Sequence, residues 1–395
     1  MRYAKRAGTL KPDEIREMIK ITSNPKVINF AGGLPAPELF PVAEMARATG
    51  IALTESGAVG LQYHATDGYL PLREKISERL ARLSGVNADP ADIMITNGSQ
   101  QGIDLSGRLF VDEGDIVLTE SPTYSGVFNA LKVYLPEFVG VPTDDDGVVP
   151  EAFEEILKRY GERIKLMYVI PDYQNPSGRV WSVPRRAAFL ELAARYELPV
   201  VEDSPYRELC FEGEPRPTLF SMDKSGMVVH LGSFSKILAP GYRVSYVLAE
   251  RSILDKYIYA SQGAFLQAST ENQVAIDKYL ELCDFDAHIE KIRTVYKRRC
   301  ELMISLMEKE FPESVTFTRP KGGMFALVTL PEGKNARDLL KTALAEDVAF
   351  VVGDAFYAAE GVVNTFRVCY ANMPEERIEE GMRRLGKAIR AFAAK

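Results

Sequence analysis

The stretch Gly226-Met-Val-Val-His-Leu-Gly-Ser-Phe-Ser-Lys-Ile-Leu-Ala-Pro-Gly-Tyr-Arg243 indicates both the fold and the site of this chain. Its first half is a short apolar run that predicts a buried strand, so Lys236 lies in the loop just past a strand end. Ligands bind at that edge of an open α/β sheet. A lysine amine is a nucleophile for carbonyl groups, and Ser233, Ser235 and Arg243 around it would form a cradle for an anion. A solvated surface lysine is the ordinary alternative, because lysine is rarely buried.

The region around this stretch, from about residue 60 to about residue 250, alternates between strand and helix patterns. The predicted strands are Ile93–Thr96, Ile116–Thr119, Leu166–Ile170, Val200–Glu202, Val228–Leu231 and Ser245–Ala249. Helical patterns such as Gln101–Phe110 and Arg185–Tyr196 separate them. This alternation predicts an α/β fold with a mainly parallel sheet that helices cover on both faces.

The ends of the chain have a different pattern. Near the N-terminus, Pro12 opens an amphipathic helix pattern with Ile15, Met18 and Ile19 on one face. Past residue 250, a smaller α+β domain is predicted by two helical patterns, Ala287–Phe311 and Glu375–Phe392, and by the strand patterns Val315–Thr318, Phe325–Leu330, Ala349–Val352 and Thr365–Cys369. We therefore expect an N-terminal segment (1–45) that joins the small domain and covers the active site, a large domain (46–285) and a small C-terminal domain (286–395).

The composition is that of an ordinary globular protein, with 395 residues, of which 46% are hydrophobic and 26% charged. A net charge of −7 gives no support to nucleic-acid binding. No two of the four cysteines (Cys210, Cys283, Cys300, Cys369) form a CxxC pair, and the histidines are scattered, which argues against structural zinc and a disulfide framework. The chain has neither a secretory leader pattern nor a run of about 18 apolar residues, so a cytoplasmic protein without a membrane span is expected.

Four further segments contain residues that a site for pyridoxal 5'-phosphate (PLP) needs. PLP has an aldehyde that forms an imine with a lysine and a phosphate that needs an anion cradle, so Lys236 and its neighbours suit it. Ser99 and Gln100 follow the predicted strand Ile93–Thr96 and open a helix, whose N-terminal N–H groups and dipole bind phosphate. Ser99 is equally a routine N-cap.

The other three segments place polar side chains past the ends of strands. Asp203 follows Val200–Glu202, where a carboxylate can pair with the protonated pyridine nitrogen and keep the ring an electron sink. A helix N-cap or an Asx-turn is the alternative role for a lone aspartate. Tyr206 is placed to hydrogen-bond to the ring hydroxyl, and Asn175, in a segment typical of a turn, would also donate to the ring oxygen. The ring of Tyr124 either stacks on the cofactor or belongs to the core or the surface.

These motifs, in this order, resemble the class I/II aminotransferases of the fold-type I PLP family, in particular the branch of 2-aminoadipate, aromatic and branched-chain aminotransferases. The resemblance runs from about Lys20 to the C-terminus. The stretches that carry it are Phe30–Pro41, Leu61–Tyr63, Gly98–Gln101, Gln174–Pro176, Glu202–Asp203 with Tyr206, Ser233–Arg243, Lys321–Phe325 and Asn364–Arg367. It implies an α/β fold whose large domain has a mainly parallel seven-stranded sheet covered by helices, a smaller α+β domain, and a homodimer. One departure is mild, since Asn-Pro-Ser-Gly stands where many relatives have Asn-Pro-Thr-Gly.

The resemblance also implies a role for each matching residue. Lys236 would hold the aldehyde of the cofactor as a Schiff base and later shuttle the proton, while Asp203 would hold the pyridinium. Arg367 would grip the α-carboxylate of the substrate through a two-point contact that a lysine cannot reproduce. Tyr63 would reach across the dimer interface to the partner's phosphate, so that the active sites are shared. The remaining implied contacts are with the ring oxygen (Asn175, Tyr206), the ring face (Tyr124), the phosphate (Ser99, Gln100, Ser233, Ser235, Arg243) and the substrate (Gly33, Tyr63, Asn175, Arg367).

The implied reaction moves the α-amino group of a 2-aminoadipate, aromatic or branched-chain amino acid to 2-oxoglutarate, with ping-pong kinetics. A PLP-dependent β-lyase would use the same Lys236 and Arg367, so the motifs leave it open. A non-catalytic effector-binding module is a third alternative, although such regulators carry a DNA-binding domain, for which few residues precede the matching region here. The distal carboxylate of 2-oxoglutarate needs a partner, and Arg6 and Arg16 are candidates, with a surface role as the alternative for both. The apolar face of the N-terminal helix would equally cover an aromatic or branched side chain.

Overall fold

The structure, a computed structural model, describes residues 2–10 and 26–393 of the chain. The α-helices of this part are α1 (Val42–Gly60), α2 (Leu70–Ser84), α3 (Ser99–Phe110), α4 (Ser125–Leu131), α5 (Pro150–Tyr160), α6 (Val183–Arg195), α7 (Leu219–Met222), α8 (Arg251–Ala264), α9 (Thr270–Leu282), α10 (Phe285–Glu310), α11 (Ala336–Ala345) and α12 (Glu375–Ala393). The strands are β1 (Ile28–Asn29), β2 (Ile93–Thr96), β3 (Ile116–Ser121), β4 (Glu137–Asp144), β5 (Gly147–Val148), β6 (Ile164–Val169), β7 (Val200–Asp203), β8 (Val228–Ser233), β9 (Ser245–Leu248), β10 (Thr316–Phe317), β11 (Phe325–Thr329), β12 (Val348–Ala349), β13 (Val351–Val352) and β14 (Thr365–Cys369).

The large sheet has the strand order β2-β9-β8-β7-β6-β3-β4-β5. Its centre is parallel, because β8, β7, β6, β3 and β4 pair in the same direction, while β9 runs antiparallel to both of its neighbours. This confirms the α/β fold with a mainly parallel sheet. The described sheet has eight strands where seven were expected. The additional strand is the two-residue β5, which returns antiparallel along β4 after a turn in which Asp144 accepts from the Asp146 N–H and Gly147 takes a φ of +119°.

Helices cover both faces of this sheet, and the central strands have side chains in two separate cores. Along β3, Val117 packs in one core while Ile116 and Leu118 pack in the other. Along β6, Leu166 packs in the same core as Val117, and Met167 packs in the other core. Strands that are buried on both faces have nearly continuous apolar sequences, which explains why the sequence pattern identified them.

The C-terminal part of the chain forms a second, smaller sheet with the strand order β10-β11-β14-β13, in which all pairs are antiparallel. The N-terminal strand β1 pairs in parallel with β12, so that Ile28 lies opposite Val348. The division of the chain at residues 45 and 285 stays a prediction. The expected helix with Ile15, Met18 and Ile19 lies outside the described residues.

The central parallel strands present their carboxyl ends at one edge of the large sheet. The segments that follow β3, β6 and β8 hold Tyr124, Asn175 and Lys236 respectively, and Asp203 is the last residue of β7. That edge is where an open α/β sheet binds ligands. No helix in residues 2–10 and 26–393 is long and apolar enough to cross a membrane.

Candidate active site

A cavity of about 290 Å³ opens at this edge of the sheet. Twelve of the thirteen residues assigned to the site line it: Gly33, Ser99, Gln100, Tyr124, Asn175, Asp203, Tyr206, Ser233, Ser235, Lys236, Arg243 and Arg367. These residues come from seven separate segments of the chain, which the sheet topology brings together. Tyr63 is the exception, because it does not line the cavity and its side chain is 78% exposed in the single chain.

Lys236 extends from the loop after β8 into the cavity. Its Nζ donates a hydrogen bond to the Gly33 carbonyl oxygen at 3.0 Å. Removal from water lowers the pKa of Lys236 to about 8, and the nearby guanidinium groups of Arg367 and Arg243 act in the same direction. A substantial fraction of this amine is therefore neutral near physiological pH, which is the form that attacks a carbonyl.

Asp203 lies at the end of β7 and is 4% exposed. Its Oδ2 accepts a hydrogen bond from the Tyr168 hydroxyl at 2.6 Å, whereas its Oδ1 is buried without a hydrogen-bond partner among the described residues. Burial raises the pKa of Asp203 to about 6, although the bond from Tyr168 and the electrostatic interactions with His230 and Lys236 oppose that shift. A buried carboxylate oxygen without a partner is costly, so this oxygen is an acceptor for a group that the chain itself does not supply.

Arg367 lies on β14 with its side chain buried against the cavity. Its Nη1 donates to Asn175 Oδ1 and its Nη2 to the Ala31 carbonyl oxygen, both at 2.7 Å. The guanidinium stacks over the Phe325 ring at 4.2 Å. No carboxylate of the described residues forms an ion pair with Arg367, and burial lowers its pKa. The cavity therefore contains a fixed cation that lacks a counter-charge, which is a binding site for an anion.

The opposite end of the cavity combines a helix N-terminus with a cation. Helix α3 begins at Ser99 after Gly98, which has a φ of +88°. Arg243 is close to that turn, since its Nη2 donates to the Asn97 carbonyl oxygen at 3.2 Å. Ser233 Oγ accepts from the Ser235 N–H at 3.1 Å, so the two serines share one loop conformation. Unpaired N–H groups at a helix start and an adjacent arginine form a site suited to a phosphate.

Three polar side chains complete the walls. The Tyr124 hydroxyl donates to Gln100 Oε1 at 3.4 Å, and Gln100 Nε2 donates to the Gly126 carbonyl oxygen at 2.8 Å. Tyr206 is buried, and its ring meets Phe325 edge to face with 5.7 Å between the ring centroids. Burial raises the pKa of Tyr206, so its hydroxyl stays protonated and able to donate.

Two side chains that support the site residues were not identified from the sequence. Tyr168 lies inside β6, where the apolar run concealed its hydroxyl, and Phe325 supports both Arg367 and Tyr206. The only signal for Tyr168 was a side chain with a polar tip within an otherwise buried strand. Arg6 lines a separate surface depression, together with Arg108 and Glu113, and does not line the cavity. Arg16 lies outside the described residues.

The residues present fit PLP. A lysine with a neutral amine suits the aldehyde, the unpaired Asp203 Oδ1 suits a protonated ring nitrogen, and the α3 N-terminus with Arg243 suits the phosphate. The unpaired cation of Arg367 remains for a second anion, such as the carboxylate of a substrate.

Comparison with known proteins gives matches over almost the whole chain. The family model described as aminotransferase class I and II matches residues 25–385. An aromatic-amino-acid aminotransferase of Thermococcus litoralis is 42% identical over 391 residues, which cover 98% of this chain and 94% of that protein. A 2-aminoadipate transaminase of Thermus thermophilus is 43% identical over 396 residues, covering 99% and 97% of the two chains. The crystal structure of the α-aminoadipate aminotransferase LysN from Thermus thermophilus, complexed with N-(5'-phosphopyridoxyl)-L-leucine, has a TM-score of 0.92 at 42% identity and covers 99% of this chain and 98% of its own.

Proposed function

This chain belongs to the class I and II aminotransferase family, and from that premise we propose that it moves the α-amino group of a 2-aminoadipate, aromatic or branched-chain amino acid to 2-oxoglutarate. It is a PLP-dependent aminotransferase. The observation that carries the proposal is that one cavity is lined by Lys236, by Arg367 and by Asp203, whose Oδ1 has no partner among the described residues. The substrate range follows the names and ligands of the relatives, which include 2-aminoadipate, aromatic amino acids and a leucine derivative.

Lys236 is the nucleophile and the proton carrier in this proposal. When bound, PLP supplies an aldehyde that takes up the amino group and a protonated ring that withdraws electrons from the substrate α-carbon. Lys236 Nζ would hold that aldehyde, and once an amino acid had displaced it, the free amine would accept the α-proton and later return it. The lowered pKa of Lys236, about 8, supports both tasks, because the neutral amine is populated at working pH.

Asp203 and its neighbours hold the ring. Asp203 Oδ1 accepts the hydrogen bond of the protonated ring nitrogen, which compensates the buried charge. Tyr206 and Asn175 would contact the ring oxygen and the Tyr124 ring would lie against the cofactor ring, since all three residues line the cavity. These contacts orient the ring with respect to Lys236, and orientation of this kind contributes a large part of enzymatic rate enhancement.

The two ends of the cavity bind anions. The N-terminus of α3, with Ser99 and Gln100, and the loop of Ser233, Ser235 and Arg243 bind the phosphate. At the other end Arg367 binds the α-carboxylate of the amino acid beside the Gly33 backbone. A Cβ at Gly33 would lie 3.1 Å from the Phe325 ring, so a larger residue there would crowd this carboxylate site.

We further infer a homodimer with shared active sites. Leu61 and Tyr63 are 73% and 78% exposed, and large apolar side chains of this kind are typical of an interface. Tyr63 then contacts the phosphate in the partner's cavity, which accounts for its absence from the cavity of its own chain. A cytoplasmic location stays a prediction from the sequence.

The proposal is tested with PLP-loaded protein and single amino donors in the absence of an acceptor. Addition of 2-aminoadipate, an aromatic or a branched-chain amino acid should change the absorption of the cofactor and release at most one equivalent of 2-oxo acid per site. Initial rates across these donors, with 2-oxoglutarate fixed, then rank the substrates. Continuous release of pyruvate and ammonia without an acceptor would indicate a β-lyase, and the absence of a spectral change with every donor would refute the amino-transfer proposal.

A further inference from the structure

Tyr168 is the one side chain of the described residues that donates a hydrogen bond to Asp203. Its hydroxyl lies 2.6 Å from Asp203 Oδ2, and the two residues are 1% and 4% exposed. The two residues lie on adjacent parallel strands, because β6 pairs with β7 and Tyr168 is in register with Val201. The rigid centre of the sheet therefore fixes the distance between the hydroxyl and the carboxylate.

Because of this bond, the two carboxylate oxygens of Asp203 have different roles. Oδ2 accepts the hydrogen bond of Tyr168, whereas Oδ1 has no partner among the described residues. Asp203 itself lines the cavity. Burial raises the pKa of Tyr168 well above its ordinary value, so the phenol keeps its proton and remains a donor. A donor to a carboxylate stabilises the ionised form and lowers its affinity for a proton.

The proton affinity of Asp203 decides where a shared proton resides. When a ring nitrogen and Asp203 share one proton, a carboxylate of higher proton affinity draws the proton away from the ring. Burial raises the proton affinity of Asp203. The bond from Tyr168 and the electrostatic interactions with His230 and Lys236 lower it. Tyr168 is the only direct hydrogen-bond donor among these opposing groups.

We propose that Tyr168 is a positioning residue that acts through Asp203 to keep the proton on the ring nitrogen of the cofactor. The inference rests on the proposed function, since it takes Asp203 as the partner of that nitrogen. Tyr168 does not line the cavity, so it acts on the reaction only through the carboxylate. A ring that loses this proton is a weaker electron sink, and removal of the α-proton by Lys236 slows accordingly.

The test compares Tyr168→Phe with a matched control, Tyr257→Phe. Tyr257 is also a fully buried tyrosine, its hydroxyl bonds to Ser106 Oγ at 2.7 Å, and neither residue lines the cavity. Each protein is loaded with PLP that carries nitrogen-15 at the ring nitrogen, and the chemical shift of that nitrogen is recorded. Because a hydrogen bond to a charged group shifts an equilibrium at least about tenfold, Tyr168→Phe should move the signal towards the neutral pyridine position.

Kinetics supply a second readout. Tyr168→Phe should lower kcat about tenfold with KM changed less than about twofold, as expected when only the transition state is affected. Tyr257→Phe should leave both the nitrogen signal and kcat at the wild-type values. An unchanged nitrogen signal in a folded Tyr168→Phe protein overturns the inference, and so does an equal change in both variants. If Tyr168→Phe does not fold, 3-fluorotyrosine replaces Tyr168, because it is a stronger hydrogen-bond donor. The inference then predicts that the ring nitrogen is at least as protonated as in the wild type. Loss of that proton overturns the inference.

The outcome is separable from that of the proposed function. A wild-type protein that transfers amino groups while Tyr168→Phe keeps a normal nitrogen signal refutes the role of Tyr168 alone. A wild-type protein that fails to bind PLP overturns both.

Discussion

Asp203 illustrates at the residue scale how a site residue destabilises the chain that carries it. The folded-state pKa of Asp203 is about 6, above its ordinary value of 3.8. Between these values the folded chain binds more protons at Asp203 than the unfolded chain does, so the free energy of unfolding falls as the pH rises through this window. Above about pH 6 the buried negative charge remains as a penalty until the cofactor binds.

We therefore expect Asp203→Asn to stabilise the cofactor-free protein above pH 6 by up to about 3 kcal/mol, since one pKa unit is worth about 1.4 kcal/mol. The gain should disappear below about pH 3, where Asp203 is protonated in both the folded and the unfolded state. Urea unfolding of the wild type and of Asp203→Asn across this pH range measures the difference in the free energy of unfolding. The matched control is Asp172→Asn, which weakens the buried ion pair with Arg186 and should lower the stability by about 3 kcal/mol. Parallel pH profiles for wild type and Asp203→Asn would contradict the account.

Arg367 makes a second prediction at this scale. Its guanidinium is held by Asn175 and Ala31 and stacked on Phe325, so it is oriented before a substrate arrives. Arg367→Lys keeps the charge but loses the two-point contact, and we expect KM for amino and oxo acids to rise about tenfold to a hundredfold. The affinity for PLP should change little, because the proposal assigns Arg367 to the substrate carboxylate and not to the cofactor. Steady-state kinetics and cofactor titration measure the two quantities, and an equal loss in both would place Arg367 at the cofactor instead.

At the scale of elements, we expect the start of α3 to determine how tightly the phosphate of the cofactor binds. Gly98 has a φ of +88°, and a Cβ there would lie 2.0 Å from Arg243 Nη2. Gly98→Ala should therefore displace Arg243 and weaken PLP binding about tenfold or more, besides a backbone strain of about 1 kcal/mol. Equilibrium titration of cofactor-free protein with PLP measures this loss.

Gly85 provides the control for backbone strain alone. It ends α2 with a φ of +65°, and a Cβ there would meet nothing within 4 Å. Gly85→Ala should lower the melting temperature but leave the affinity for PLP unchanged. If both alanine variants bind PLP as tightly as the wild type, the start of α3 and Arg243 are not the phosphate site.

The burial of each strand also explains which strands could be predicted from the sequence. Strands β3, β6, β7 and β8 were found because burial on both faces leaves long apolar runs, and the polar residues after them were therefore visible as site candidates. Strand β4 was missed because most of its side chains are partly exposed, so it has no such run. Tyr168 was missed for the opposite reason, since it lies within a buried strand and only the pairing of β6 with β7 reveals its partner.

At the scale of the whole molecule, the sequence pointed to Tyr63 through family resemblance, while the single chain leaves it exposed and away from the cavity. Shared active sites predict complementation between inactive subunits. In a mixed dimer of Lys236→Ala and Tyr63→Ala subunits, the cavity that retains Lys236 receives Tyr63 from the other subunit. We expect about half of the wild-type activity per dimer, as the symmetry of a two-fold assembly dictates. Activity no higher than that of the Tyr63→Ala homodimer would mean that Tyr63 does not act across the interface.

The central claim is that this molecule transfers an amino group by means of Lys236, and isotope transfer tests it most directly. PLP-loaded protein is given 2-aminoadipate labelled with nitrogen-15 and unlabelled 2-oxoglutarate, and the glutamate formed is analysed by mass spectrometry. The account predicts glutamate that carries the label, in amounts equal to the 2-oxo acid released, with none formed by Lys236→Ala under the same conditions. Unlabelled glutamate, label released as free ammonia, or undiminished transfer by Lys236→Ala would contradict it.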